Sequence, residues 1–314
     1  MKEVINDFPN QFRAELKLER GDSLTEKGYV IVSGMGGSGL AADFIRAYDK
    51  SMPVLVHKNY GLPDLDDEIL KESISVVTSF SGDTEEALSA LGESLDKNIS
   101  TIAITKGGQL MAIAKEKRLP LVTLPDVKIP SRMALGYHLI GLLTALGEES
   151  LLKEFRALAD LDFYQYENVG KDLTDFLNGR IPVIYSSERN NFIPYIWKIN
   201  FNETSKTPAF MNSFPELTHG EIAGFEDKGL SERFTFIFID DADDHIEIQK
   251  KMISLKKVYE DKGLDVLDIP MRGVSRLERI FSSIITSYWA SYFFAVAKNV
   301  DPFRANIIEE FKKY

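Results

Sequence analysis

Apolar residues along this chain fall into short continuous runs, separated by longer stretches of helical period. Runs at 29–33, 53–57, 74–78, 100–104 and 120–124 read as strands. Stretches at 38–48, 83–97, 108–117 and 132–147 read as helices. A run that is apolar at consecutive positions suits a strand buried on both faces. Alternation of such runs with helices predicts a parallel sheet covered on both sides. Before the first strand, residues 1–20 read as an amphipathic helix with Phe8, Phe12 and Leu16 on one side. The alternation pauses at Glu-Glu-Ser-Leu-Leu, 148–152, and a helical region follows. It resumes with a buried strand between Gly179 and Ser187 and a helix from near Phe192. Strands at 234–239 and 264–269 then flank a charged helix, 243–262. A long helix at 274–298 and a last one toward Tyr314 complete the pattern. The expectation is an α/β chain of two subdomains, 1–150 and 151–314, each a doubly wound αβα sandwich.

Composition narrows the function classes. The 314 residues are 44% apolar, enough for packed cores, and carry a net charge of −11, which argues against a general nucleic-acid surface. There is no cysteine, so disulfides, thiolate metal sites and a cysteine nucleophile are excluded. Met1 to Asp7 lacks an apolar signal core. The stretch Ile284 to Ala297 is interrupted by Thr286, Ser287 and Ser291 and reads as too short and polar to span a bilayer. A cytoplasmic chain with neither nucleic-acid nor membrane partner is expected.

Two turns suggest a ligand. Gly34, Gly36, Gly37 and Gly39 lie between the first strand and its helix, with Ser38 among them. Free N–H groups at a helix start attract an anion, and glycines let the backbone approach it. Gly34-x-Gly36-x-x-Gly39 also fits the dinucleotide fingerprint. However, the second strand runs into His57-Lys58-Asn59-Tyr60, without the carboxylate a ribose would need. A nicotinamide cofactor therefore loses ground to a simpler phosphate. The third strand ends in a similar turn, where Ser79, Ser81 and Thr84 place three hydroxyls around another helix start. Ordinary capping needs only one of them. In the second half the matching position holds Ser186-Ser187-Glu188-Arg189, without the glycines. The acidic run Asp240-Asp241-Ala242-Asp243-Asp244 lies between a strand and a helix. Its carboxylates are expected to cap that helix and face water rather than hold a cation.

Gly36-Gly37-Ser38 together with Ser79-x-Ser81-Gly82-x-Thr84 resembles the sugar isomerase (SIS) domain. The resemblance implies a phosphosugar with its phosphate in the Ser79–Thr84 loop and Gly37 and Ser38 beside the sugar. Asn202-Glu203-x-x-Lys206-x-Pro208-Ala209, followed by Phe214-Pro215-Glu216-Leu217-x-His219-x-Glu221, resembles the bifunctional phosphoglucose/phosphomannose isomerase family, of the phosphoglucose isomerase superfamily. That likeness covers essentially the whole chain and implies two SIS-type subdomains. After Asp301-Pro302 the tail departs from the usual family pattern.

The chemistry such a family performs fits these residues. Moving a proton between C1 and C2 through a cis-enediol needs one base that reaches both carbons, and Glu203 is the candidate. Ring opening needs an acid and a base, and His219 titrates near neutral pH. By resemblance, Lys298 shares that step and Arg132 faces the enediolate. Ser291 is a small hydroxyl that could give room at C2. The family implies glucose 6-phosphate, fructose 6-phosphate and mannose 6-phosphate as substrates and no metal or cofactor. It also implies a homodimer in which His219 reaches the neighbouring subunit. Glu216 and Glu221 flank His219. His57, His138 and His245 are expected to be structural or exposed. The competing reading is a phosphosugar sensor without catalysis.

Overall fold

The computed structural model describes residues 1–21, 28–177, 179–311 and 314. Two compact units emerge, Asp7–Leu161 and a second formed by Met1–Asn6 with Asp162–Tyr314. Both are parallel sheets flanked by helices.

In the first unit the strands are β1 (Leu18–Glu19), β2 (Tyr29–Ser33), β3 (Val54–His57), β4 (Ser73–Thr78), β5 (Ser100–Thr105) and β6 (Leu121–Thr123). They lie in the order β1-β6-β5-β4-β2-β3, all parallel except β1 against β6. The helices are α2 (Gly36–Tyr48), α3 (Asp67–Lys71), α4 (Glu85–Asp96), α5 (Gly108–Glu116), α6 (Leu135–Leu146) and α7 (Glu149–Arg156). The chain opens with α1 (Lys2–Asn6), which belongs to the second unit. That unit continues with strands β7 (Ile181–Ser187), β8 (Phe210–Phe214), β9 (Phe234–Asp240) and β10 (Val266–Pro270), parallel in the order β10-β9-β7-β8. Its other helices are α8 (Glu167–Leu177), α9 (Phe192–Thr204), α10 (Lys228–Ser231), α11 (Ile246–Asp261), α12 (Arg276–Ala297) and α13 (Asn306–Phe311). The expected last helix continues onto residues 312–313, which lie outside the described residues.

The two sheets are wound alike. In each, a central strand (β2 or β7) is followed by a strand on one side (β3 or β8), and the chain then crosses to the other side (β4 or β9). That reversal leaves a crevice at the carboxyl ends of the central strands, the usual ligand position in open α/β sheets.

One expected element does not form, one strand lies outside the expected pattern, and the long helix lies where it is expected. The single helix over 1–20 does not form: α1 stops at Asn6, a 3-10 turn spans Phe8–Arg13, and β1 follows. Pro9 cannot donate to a preceding helical turn, so the chain changes conformation there. Phe8 and Phe12 are nevertheless fully buried, in edge-to-face contact at 5.5 Å between ring centres. Strand β8 falls within the stretch read for its motif residues and was not foreseen. Finally, the last long helix, α12, extends for 22 residues from Arg276. It is long and apolar enough to cross a membrane by length and composition, yet 78% of its most apolar window is buried within the protein.

Helix α12 is the spine of the second unit. Its small residues admit neighbours closely and supply hydroxyls: Trp197 Nε1 donates to Ser283 Oγ at 3.1 Å and Asn200 Nδ2 to Ser287 Oγ at 2.8 Å, which fixes α9 against it. On another side Gly170 of α8 is pressed onto α12, where an added Cβ would lie 2.7 Å from the Ala290 nitrogen and collide with the Trp289 side chain. Gly170→Ala is therefore expected to lower stability by roughly 1–3 kcal/mol, the cost of overpacking a rigid contact. A urea unfolding midpoint equal to that of the parent would contradict this account of the α8–α12 contact.

Candidate functional site

In the first unit the two hydroxyl-bearing turns meet. Strands β2 and β4 are adjacent and parallel, with Ser33 paired to Val77, so their carboxyl ends emerge side by side. Helix α2 begins at Gly36, whose φ is +48°, and an added Cβ on Gly37 would lie 2.5 Å from the Ser131 carbonyl oxygen. Glycine is therefore required at both positions for different reasons, backbone conformation at one and close approach at the other. The Phe80 N–H donates to Ser38 Oγ at 3.0 Å and so ties one turn to the other. Ser38 Oγ also lies 3.3 Å from His138 Nε2, and His138 Nδ1 lies 3.0 Å from Thr78 Oγ1. His138 is buried, and burial pushes its pKa down to about 3, so it is a neutral structural bridge, as expected of it.

The second turn is not an ordinary helix cap. Thr84 occupies the N-cap of α4 but its side chain makes no capping bond. Its Oγ1 pairs instead with Ser79 Oγ at 2.8 Å, and Ser79 Oγ accepts from the Gly82 N–H at 3.0 Å. Ser81 Oγ is exposed and accepts from the Asp83 N–H at 3.3 Å. Gly82 has φ +82°, and a Cβ there would run into the Gly107 carbonyl. A small loop of hydroxyls and main-chain N–H groups at a helix start suits an anion without any lysine. Arg132 is buried in a 3-10 turn, Ser131–Met133, just before α6 and not within a helix, and its backbone adjoins Gly37.

In the second unit Glu203 lies in the last turn of α9, half-buried. Lys298 is the C-cap residue of α12, and its Nζ donates to Thr207 Oγ1 at 2.8 Å and to the Lys206 carbonyl at 3.1 Å. The loop that follows Glu203 thus holds Lys298. Burial lowers the Lys298 pKa from its ordinary value, which makes its proton easier to give up. His219 is exposed at the end of a 3-10 turn, Glu216–His219, after β8, in which Leu217 is buried. Glu221 does not orient it: the Glu221 carboxylate accepts from the Tyr185 hydroxyl at 2.5 Å and from Asn212 Nδ2. Glu216 is exposed. Ser291 is buried and donates to the Tyr288 carbonyl of its own helix.

The whole-chain comparisons extend this picture. A bifunctional phosphoglucose/phosphomannose isomerase of Aquifex aeolicus (strain VF5) is 31% identical, covering 99% of this chain and 96% of that protein. One from Caldicellulosiruptor bescii is 32% identical, covering 96% and 95%. The chain belongs to the bifunctional phosphoglucose/phosphomannose isomerase family. Residues 166–314 also match the bacterial phospho-glucose isomerase C-terminal SIS domain. The fold is shared more widely: a glucosamine-6-phosphate deaminase from Thermotoga maritima superposes with a TM-score of 0.69 at 17% identity, covering 96% of this chain and 94% of that one.

Within this family member the switch point of the second sheet is closed by its own side chains, contrary to the expectation of a solvated acidic run. Asp241 and Asp244 are buried. Asn190 Nδ2 donates to Asp241 Oδ2 at 3.0 Å, Ser187 Oγ donates to Asp244 Oδ1 at 2.7 Å, and Arg279 Nε lies 3.3 Å from Asp241 Oδ1. His245, not an aspartate, caps α11, its Nδ1 accepting from the Glu247 N–H. The run follows strand β9, so two of its carboxylates turn inward onto the β7 turn. Burial, aided by Asp241 and opposed by the Ser187 bond, raises the Asp244 pKa to about 6. The folded chain then binds this proton more tightly than the unfolded one, whose aspartates titrate near ~3.9. The Asp244 contribution is thus fully present below about pH 4 and lost as pH rises toward 6. Urea midpoints measured across that window should decline less with rising pH in Asp244→Asn than in the parent. Parallel profiles would show that this carboxyl does not titrate there.

Proposed function

We propose that this chain interconverts glucose 6-phosphate, and mannose 6-phosphate as well, with fructose 6-phosphate, as a cytoplasmic, metal-independent aldose–ketose isomerase. The observation that carries the reading is the Lys298 ammonium bonded to the Lys206–Thr207 loop, three residues after Glu203, at the C-terminal ends of α9 and α12. The family supports the substrate class.

In this reading the substrate phosphate takes the N–H groups and hydroxyls of Ser79, Ser81 and Thr84, with Gly37 and Ser38 beside the sugar. Lys298 and His219 open the ring: the ring oxygen gains a proton while the anomeric hydroxyl loses one, which releases the aldehyde. The Glu203 carboxylate then takes the C2 proton, leaving a cis-enediolate with its charge on O1; the proton of the C2 hydroxyl passes to the neighbouring O1, and protonated Glu203 returns its proton to C1, giving the ketose and the free carboxylate. Arg132 steadies the negative charge on the enediolate oxygen. The depressed pKa of Lys298 suits it to ring opening. The exposure of His219 supports a homodimer in which each His219 serves the other subunit.

An assay with chelator present, offering each aldose separately and detecting fructose 6-phosphate, should show conversion of both. Glu203→Gln should lose about two to four orders of magnitude in turnover while remaining folded. Near-parental turnover in that variant would remove Glu203 from the mechanism. Binding of fructose 6-phosphate without conversion of either aldose would leave a sensor instead. The shared-site arrangement has its own test, in which Glu203→Gln and His219→Ala chains are unfolded together and refolded. Random pairing should restore roughly a quarter of parental activity, because mixed dimers hold one intact site. No recovery would confine each site to a single subunit.

A further inference from the structure

We infer that Lys206 is a positioning residue, one whose ammonium holds Glu203 and Lys298 in a single geometry; this rests on the isomerase reading above. Lys206 follows the C-cap residue of α9 with φ +51°, in the left-handed region that favours glycine. A glycine would satisfy the backbone here, yet the chain carries a lysine. The side chain folds back on its own helix. Its Nζ donates to the carbonyl oxygens of Glu203 at 2.6 Å, Thr204 at 3.2 Å and Asp301 at 2.6 Å. The first two are the carbonyls of the last two residues of α9, at the negative end of the helix. The third belongs to the turn just after Lys298.

The connection closes from the other side. Lys298 Nζ donates to the Lys206 carbonyl and to Thr207 Oγ1. Thr207 is itself fixed, its Oγ1 donating to the Ser205 carbonyl at 3.1 Å. One residue therefore grips the peptide of Glu203 with its side chain and presents its own carbonyl to Lys298. It also secures the chain beyond Lys298 through Asp301. An ammonium suits this task because its three donors can point at three separate oxygens, which the planar fork of arginine matches only in part. Lys206 is given no contact with substrate. Its effect is on where the carboxylate and the second ammonium stand, and displacements of about 1 Å at such groups cost on the order of 100-fold in rate.

The test compares the parent with Lys206→Met, Lys206→Gly and Lys206→Arg, using glucose 6-phosphate turnover, KM and the thermal midpoint of each. Glycine accepts the left-handed backbone without strain, so Lys206→Gly keeps the loop foldable and decides the question even if Lys206→Met does not fold. Turnover in Lys206→Gly should fall by about 30-fold or more with KM changed by less than about threefold, because binding groups in the first unit are untouched. Lys206→Arg should recover at least about fivefold over Lys206→Gly by restoring a cation near the same carbonyls. Lys206→Gly turnover within about threefold of the parent, a KM that rises in step with the loss, or an arginine variant no better than glycine would each overturn the inference. A parent inactive on both aldoses overturns the isomerase reading and this inference with it. An active parent with an unaffected glycine variant overturns only the inference.

Discussion

Main-chain polar groups at the ends of strands and helices need partners, and much of this protein's local design answers that need. Parallel strands and their following helices deliver N–H groups to the carboxyl edge of each sheet, and helices deliver carbonyls to their own C-termini. In the first unit serine and threonine hydroxyls and close glycine turns take up the N–H groups. Ser38 accepts from Phe80 and Ser79 accepts from Gly82, so two separate turns become one surface of donors and hydroxyls. At the end of α9 the Lys206 ammonium donates to the Glu203 and Thr204 carbonyls.

The two sheets share a winding but not a chemistry. Where the first has glycines and hydroxyls at its switch point, the second has Asp241 and Asp244, bound by Asn190, Ser187 and Arg279. The crevice lined by glycines and hydroxyls in one unit is filled in the other by paired side chains. The second unit instead brings charged side chains to the C-terminal ends of α9 and α12. There Lys298 lies on the loop after Glu203, and desolvation brings its proton nearer to the range useful at neutral pH.

Much of this was legible in the chain. Largely apolar strands, with small serines and threonines but no charges in their buried positions, and the strand–helix alternation specify a parallel α/β fold, because a strand covered on both faces has no solvent side. The glycine turn and the Ser79–Thr84 turn were visible because glycine and hydroxyl spacing records local geometry. The helix expected over 1–20 was misread because its apolar spacing serves burial of Phe8 and Phe12 equally well in a broken conformation, and Pro9 decides the break. The motif spacing around Lys206 carries no sign of its role. Its φ of +51° and its three carbonyl partners are set by neighbours up to Asp301, far along the chain.

The sequence by itself determined the layer architecture, the two anion-seeking turns and the residue types available for acid–base chemistry, since each depends on local periodicity or short spacing. Tertiary structure alone decided which of those groups keep their charge and which are spent on the fold. It neutralised His138 by burial, occupied Glu221 with Tyr185 and Asn212, and turned Asp241 and Asp244 inward. It also placed Lys298 on the loop after Glu203. Solvation and long-range pairing set a group's protonation and partners, and neither is fixed until distant segments pack together.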